Sequence, residues 1–179
     1  NDNENLPAGW KKVKLGEIVK NIRNGYVYKF TDVKEDGIPI TRIETISNGY
    51  IDKNRIGYLP SNLCSDSKAK EYLMKVGDIL LSHINSFEHV GKTAIYEGDP
   101  PNLIHGMNLL LLRADSSICN PSFLILLLKK EDVRNRIRSL SGQAVNQVSI
   151  NTLELYNLIL PLPPLPEQEK IAEILETVD

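Results

Sequence analysis

The chain is poor in the residues from which enzymes most often build their chemistry. It holds 2 cysteines, 3 histidines and 1 tryptophan in 179 residues. Cys64 and Cys119 lie far apart with no Cys-x-x-Cys spacing. Two free thiols in a reducing compartment are the preferred reading, and a disulfide stays open on sequence alone. His83, His89 and His105 match no compact metal-ligand spacing and have no Asp, Glu or Cys cluster beside them, so no metal centre is expected. No apolar run approaches the roughly 18 residues of a membrane span. The first five residues, Asn-Asp-Asn-Glu-Asn, lack the basic and apolar pattern of a signal peptide. The cytoplasm is the expected compartment, with no membrane partner. A Gly-x-Ser-x-Gly nucleophile turn is also missing.

Two motifs imitate catalytic loops and fail on a specific residue. Gly91-Lys92-Thr93 ends like a phosphate-binding loop, but Ser86 stands where that loop needs its first glycine. The following Ala94-Ile95-Tyr96 reads as strand, not as a helix start that would aim amides at phosphate. Asp99-Pro100-Pro101-Asn102 has the form of the Asp-Pro-Pro-aromatic loop of adenine amino-methyltransferases, but Asn102 cannot stack on an extruded base. No glycine-rich cofactor loop follows a strand upstream. Neither nucleotide hydrolysis nor methyl transfer is expected, no catalytic residue is assigned, and no cofactor is implied.

What the chain does contain is ordinary for a globular protein, with 25% charged and 41% hydrophobic residues. Its length suits one domain with a real core. The net charge of −2 argues against a simple polybasic nucleic-acid binder, but the distribution is uneven. Residues 1–150 hold 20 Lys and Arg against 17 Asp and Glu, whereas residues 151–179 hold one against six. The positive charge gathers at Lys11, Lys12, Lys14, Lys20, Arg23 and Lys29, and again at Lys129, Lys130, Arg134, Arg136 and Arg138. Two such patches on a near-neutral body suit a phosphate backbone; solvated helix and strand faces are the plainer alternative.

Leu6-Pro7-Ala8-Gly9-Trp10 reads as a turn carrying one aromatic anchor, followed by a short strand to Leu15 and one helical turn at 15–19. Strands are expected at 37–43, with Pro39 near its edge, at 79–84, 93–96, 109–112 and 158–160. Asn120-Pro121 is a helix start, with Asn as cap and Pro in the first turn, opening a helix that carries Phe123, Leu124, Leu127 and Leu128. A second helix is expected over 132–140, with Val133, Ile137 and Leu140 on one face and Gly142 ending it. No internal repeat is visible. Short strands mixed with clustered helices predict an α+β fold.

Near the C-terminus four prolines, Pro161, Pro163, Pro164 and Pro166, force an extended, donor-poor segment that reads as a rigid elbow. A helix follows, with Glu167 and Glu169 in its first turn and Ile171, Ile174, Leu175 and Val178 forming an apolar stripe. So short a helix is marginal alone, and the stripe calls for a partner helix.

The remaining candidates are polar and planar side chains in expected loops at 23–26, 82–86 and 141–147. Asn and Gln bond adenine bidentately and Arg does so with guanine. Arg23, Arg42, Asn85, Gln143, Asn146 and Gln147 are therefore candidates for base edges, and Lys92, Arg134 and Arg138 for phosphates. Ordinary surface loops share this composition.

Several of these stretches together resemble a known family. Leu6-Pro7-x-Gly9-Trp10 with Leu15-Gly16-Glu17-Ile18, then Gly77-Asp78-Ile79-Leu80 and Gly91-Lys92-Thr93-Ala94, are similar to the target-recognition domains of type I restriction–modification DNA-specificity subunits. So is the ending, residues 149–153 and then Leu160-Pro161-Leu162-Pro163-Pro164-Leu165-Pro166-Glu167-Gln168, whose proline run before Glu-Gln is the most specific part. The resemblance implies a DNA target-recognition domain over residues 1–163 and the start of a conserved spacer helix, one half of a coiled coil, over 164–179. It implies a non-catalytic subunit in which two such domains, held apart by antiparallel spacer helices, each read half of a split double-stranded DNA target. Implied partners are methyltransferase (modification) subunits, which bring S-adenosylmethionine chemistry, and a restriction subunit, which brings ATP-driven translocation and cleavage. A second recognition domain or a second copy would pair through the spacer helix. With one domain and only the first turns of that helix, a fragment or processed product is expected ahead of a half-subunit. The alternative function is a protein-interaction module that pairs through its C-terminal helix without reading DNA.

Overall fold

A computed structural model of the chain describes residues 6–64, 67–142 and 147–177. In chain order the elements are β1 (Lys11–Lys14), α1 (Leu15–Ile18), β2 (Val19–Asn24), β3 (Ile38–Thr41), β4 (Ile56–Leu59), α2 (Ser61–Cys64), α3 (Ser67–Lys70), β5 (Ile79–Ser82), β6 (Ile84–Asn85), β7 (Thr93–Ile95) and β8 (Leu109–Ala114). Then follow α4 (Pro121–Lys129), α5 (Glu131–Ser139), β9 (Val148–Ser149), α6 (Thr152–Tyr156), β10 (Ile159–Leu162) and α7 (Leu165–Glu176). The α+β architecture expected from the sequence is what the chain adopts.

A four-stranded antiparallel sheet, in the order β2-β8-β5-β7, forms the centre. Side chains alternate across a strand, so the unbroken Leu109-Leu110-Leu111-Leu112 run requires apolar cover on both faces. One face carries Leu110 and Leu112 of β8 with Ile79 and Leu81 of β5 into a large core shared with Leu124, Leu128, Val133 and Ile137 of α4 and α5. The other carries Leu109, Leu111 and Leu80 into a second core with Ile46, Met74, Leu103 and Tyr96. A third cluster, Ile40, Leu59, Ala69 and Ile104, ties the β3–β4 hairpin to the segment before β8.

Local chemistry explains the best-read elements. The Asn120 side chain accepts the Phe123 N–H at 3.0 Å and caps α4, with Pro121 in the first turn. Asp78, 1% exposed, takes a bidentate pair of bonds from Arg113, both 2.7 Å, and the Lys75 N–H at 2.8 Å. This ion pair bolts β5 to β8 and holds the Arg113 guanidinium charged, its pKa raised chiefly by the hydrogen bonds to Asp78.

Three readings change. Arg23 and Asn24 belong to strand β2, not to a loop. The strand expected over 79–84 breaks at His83: residues 79–82 pair with β7 and β8, while Ile84 and Asn85 pair with β9. The proline segment is only partly an elbow. Pro161 lies in β10 opposite Lys12, and Leu160 and Leu162 are buried. A two-stranded sheet tolerates the missing amide because its outer edge needs none.

The last helix is docked on the body. Gln168, fully buried, accepts the Asn120 N–H at 2.9 Å and donates to Ile118 O (3.1 Å) and Pro163 O (2.9 Å). Ala172 is buried beside it, and Ile171 packs against the large core. Ile174 and Leu175 stay 53% and 45% exposed, and Val178 lies outside the described residues. The Trp10 indole donates to Glu167 at 2.9 Å, and β1 pairs with β10, so the two ends of the chain form one stem.

Candidate nucleic-acid interface

Strand register sorts the surface into two ends. At one end of the central sheet lie Val19, Ile79, Ile95 and Ala114; at the other lie Asn24, Ser82, Thr93 and Leu109. The first is the stem end. Asp115 there donates its N–H to Ile18 O at 2.9 Å, and the segment at 118–120 receives Gln168 of α7. The second is the loop end, where the loop 86–92, the β6–β9 pair and the turn at 107–108 emerge.

Asn85, Gln147, Lys92, Arg134 and Arg138 come together at the loop end. Asn85 sits opposite Val148, the neighbour of the exposed Gln147. Its amide donates to Ser82 Oγ at 3.2 Å and its carbonyl accepts the Ser86 N–H at 2.8 Å. Arg134 and Arg138 reach from α5 to the main chain of this loop, donating to Glu88 O (3.0 Å) and Phe87 O (3.2 Å). The Arg138 guanidinium also lies 4.3 Å from the centre of the Phe87 ring, which is 57% exposed. Lys92 donates to Ser47 O at 2.8 Å and sits 2.9 Å from His89 Nδ1. Gln143 and Asn146 lie outside the described residues.

Arg23 and Arg42 are engaged within the chain. Arg23 donates to the Glu71 carbonyl and lies 4.5 Å from the centre of the Tyr72 ring, which meets Tyr26 edge-on. Arg42 pairs with Glu44 at 2.7 Å and lies 5.3 Å from the exposed Phe30 ring. The N-terminal basic patch divides. Lys11, Lys12 and Lys14 line β1 at the stem and Lys20 sits beside Asp115, while Arg23 belongs to the loop end.

Beneath the loops sit two buried histidines. His105 is fully buried and donates its Nε2 proton to Leu109 O at 2.6 Å; His83 is 6% exposed. Burial pushes both imidazoles down to about 4, so both are neutral at pH 7. They are core residues here, and among the described residues no group of three His, Cys, Asp or Glu side chains could hold a metal ion. Cys119 is free and buried, which pushes its thiol up to about 12, so it is unreactive at neutral pH; the Cys64 side chain lies outside the described set. The Asp99-Pro100-Pro101-Asn102 stretch is a turn held by Tyr96, whose hydroxyl donates to Pro100 O at 2.6 Å.

Residues missed by the sequence reading are aromatic. Tyr50, 57% exposed, follows the Asn48-Gly49 turn, and Phe87 projects from the loop Arg138 holds. A lone exposed aromatic after a turn signal was the available clue.

The protein is thus an α+β head that presents polar, cationic and aromatic side chains at one end of a sheet and a short helical stem at the other. Comparison with known proteins gives this architecture a family. The sequence profile described as "Type I restriction modification DNA specificity domain" matches residues 7–179. The protein named "Putative type I restriction enzyme MjaX specificity subunit" from Methanocaldococcus jannaschii is 47% identical over 174 residues, which cover 97% of this chain and 40% of that one. The EcoKI specificity subunit of Escherichia coli strain K12 is 29% identical, over 97% of this chain and 37% of its own length. In structure, the HsdS subunit from Thermoanaerobacter tengcongensis superposes with a TM-score of 0.68 at 21% identity, over 97% of this chain and 42% of that one, a likeness of fold. The chain belongs to the type I restriction–modification DNA specificity family. It spans about two fifths of the length of the curated relatives it matches.

Proposed function

We propose that this chain is the DNA-reading head of a type I specificity subunit, recognising one half of a bipartite double-stranded target. The observation that carries this reading is the family match across residues 7–179, together with the gathering of Asn85, Gln147, Lys92, Arg134 and Arg138 at the sheet end opposite the stem. Asn85 and Gln147, with Gln143 and Asn146 of the same segment, are assigned to base edges. Lys92, Arg134 and Arg138 are assigned to the phosphate backbone, where they fix register. Arg23 and Arg42 stay in the base-reading set on condition that DNA displaces their Glu71 and Glu44 partners.

The head contributes no bond-breaking chemistry. Methyl transfer and cleavage belong to modification and restriction subunits that the complete protein would dock, and the reading places the complex in the cytoplasm. No helix among the described residues is long and apolar enough to cross a membrane. The exposed Ile174 and Leu175, with Ile171 at the edge of the body and Val178 beyond them, are assigned to pairing with the spacer helix of a second recognition domain or a second copy. One head reading a few base pairs binds weakly, and two linked heads gain through effective concentration.

Selection of bound duplexes from a random pool, with the chain fused to a dimerising coiled coil, tests the reading. A recovered consensus supports it, and Asn85→Ala or Gln147→Ala relaxes the consensus at particular positions. A pool that stays random at moderate salt refutes DNA reading and favours a module that only pairs through its helix.

A further inference from the structure

A cavity of about 460 Å³ opens at the loop end, beside the loop 86–92. Residues 47–50 form one wall, Lys92 with its neighbours a second, and Lys129 and Arg134 the third. Three cationic side chains from three separate elements line it, and no carboxylate does. Three other cavities among the described residues lack this character: one holds Asp78 opposite its lysines, and two carry a single lysine each.

Resting on the DNA-reading assignment, we propose that this cavity seats one phosphodiester group of the target backbone, with Lys129 as its free cation and Tyr50 packing on the adjoining sugar or base. The three cations differ in what they have left to give. Lys92 spends one N–H on Ser47 O and directs another at His89, so one of its three donors remains. Arg134 spends one guanidinium N–H on Glu88 O. The side chain of Lys129, exposed at the C-terminal end of α4, has no hydrogen bond or ion pair among the described residues. None of the three meets a carboxylate in the cavity, and Lys129 keeps all three of its donors for a phosphate. Gly49 lets the chain turn at this wall. It has φ +81°, and a Cβ built there would meet nothing within 4 Å, so this wall is open to a bulky occupant. Tyr50 stands next to it, 57% exposed, a flat face of the kind that stacks on nucleic acid at little cost in sequence preference.

The same phosphate chemistry is offered by a small anion, so the experiment separates the two sources. Binding of fluorescent random-sequence duplexes to the chain is measured by anisotropy across a salt series from low ionic strength, for wild type and Lys129→Gln. Removing one phosphate contact lowers the slope of log affinity against log salt by about 0.9, which makes the wild-type advantage shrink about 3.5-fold for each fourfold rise in salt. The loss is uniform over sequences, and the consensus selected from a random pool is unchanged. Tyr50→Ala weakens binding with little change in slope. The Lys129 side chain has no partner to lose among the described residues, so thermal melting of the variant stays near wild type. Should wild type bind duplexes while Lys129→Gln keeps the full slope, the phosphodiester seat is wrong and DNA reading stands. Should inorganic phosphate bind in a Lys129-dependent way while duplex binding is indifferent to the substitution, the cavity is a small-anion site and the proposal is again overturned. Failure of both wild type and its coiled-coil dimer to bind any duplex at low salt overturns the DNA-reading assignment itself.

Discussion

Replacing Gln168 with methionine tests how firmly the stem is built. The side chain is fully buried and its amide makes three hydrogen bonds, all to main chain: Asn120 N–H, Ile118 O and Pro163 O. Methionine is close in length and volume, so little cavity is made and the loss is polar. Leaving a buried polar group unpaired costs about 1–3 kcal/mol. Asn120 N–H and Pro163 O bear that cost in full, whereas Ile118 is 37% exposed and its carbonyl can turn to water. The net expectation is about 3 kcal/mol, after the relief of no longer burying an amide. For a domain of this size that lowers Tm by about 6–12 °C. Urea and thermal melts followed by circular dichroism measure it. Gln168→Glu sharpens the test, since its carboxylate still accepts from Asn120 but faces two carbonyls with no proton to offer. Its folded-state pKa is therefore raised above the unfolded value, and the variant regains stability as pH falls toward the acid range. A methionine variant within about 0.5 kcal/mol of wild type, or a glutamate variant that weakens further on mild acidification relative to wild type, would refute the reasoning.

Other consequences are as direct. Arg113→Met strands Asp78 in the core with only the Lys75 N–H, and costs about 3–5 kcal/mol by denaturant melts; a double variant with Asp78→Asn recovers part of that loss. His83 and His105 are held near 4 when folded and return to about 6.5 when unfolded, so the unfolded chain binds more protons between these values. Their contribution is complete above about pH 6.5 and is lost as pH falls toward 4, on the order of 3 kcal/mol for each. His105→Gln flattens that part of the stability profile, and an unchanged slope between pH 6.5 and 4 contradicts the assignment. Arg138→Ala releases Phe87 and its carbonyl from α5. Faster amide hydrogen exchange is expected in residues 86–90, with none at β8.

The elements written in local chemistry were legible. The α4 cap is set within four residues by Asn120, Pro121 and the Phe123 amide. The four leucines of β8 announce a strand buried on both faces. β2 escaped notice because Val-Lys-Asn-Ile-Arg-Asn alternates poorly and sits at a sheet edge, half exposed. β4 was passed over for the same reason, its Ile-Gly-Tyr-Leu being a short run whose partner β3 is the better-marked strand. In the candidate interface, residue types pointed to Asn85, Lys92, Arg134 and Arg138, but nothing in their spacing showed that they meet. The placement of Phe87, and of Tyr50 with the cavity it lines, depends on loops folding toward each other.

The first and last of the motifs that carry the family resemblance build the stem, whereas Gly91-Lys92-Thr93 lies at the loop end. Gly9 lies against Pro164, Trp10 bonds Glu167, and Gln168 locks α7 to the segment before α4. The sequence by itself determined the α+β class, most of the helices and strands, the absence of nucleotide-hydrolase and methyltransferase motifs, and the resemblance, because caps, periodicity and short motifs act over a few residues. Tertiary structure alone decided which ends of the strands share a surface, which arginines are spent on carbonyls and which cations share a cavity. Those outcomes follow from strand register and from hydrogen bonds between residues 45 to 157 positions apart, and no local pattern encodes them.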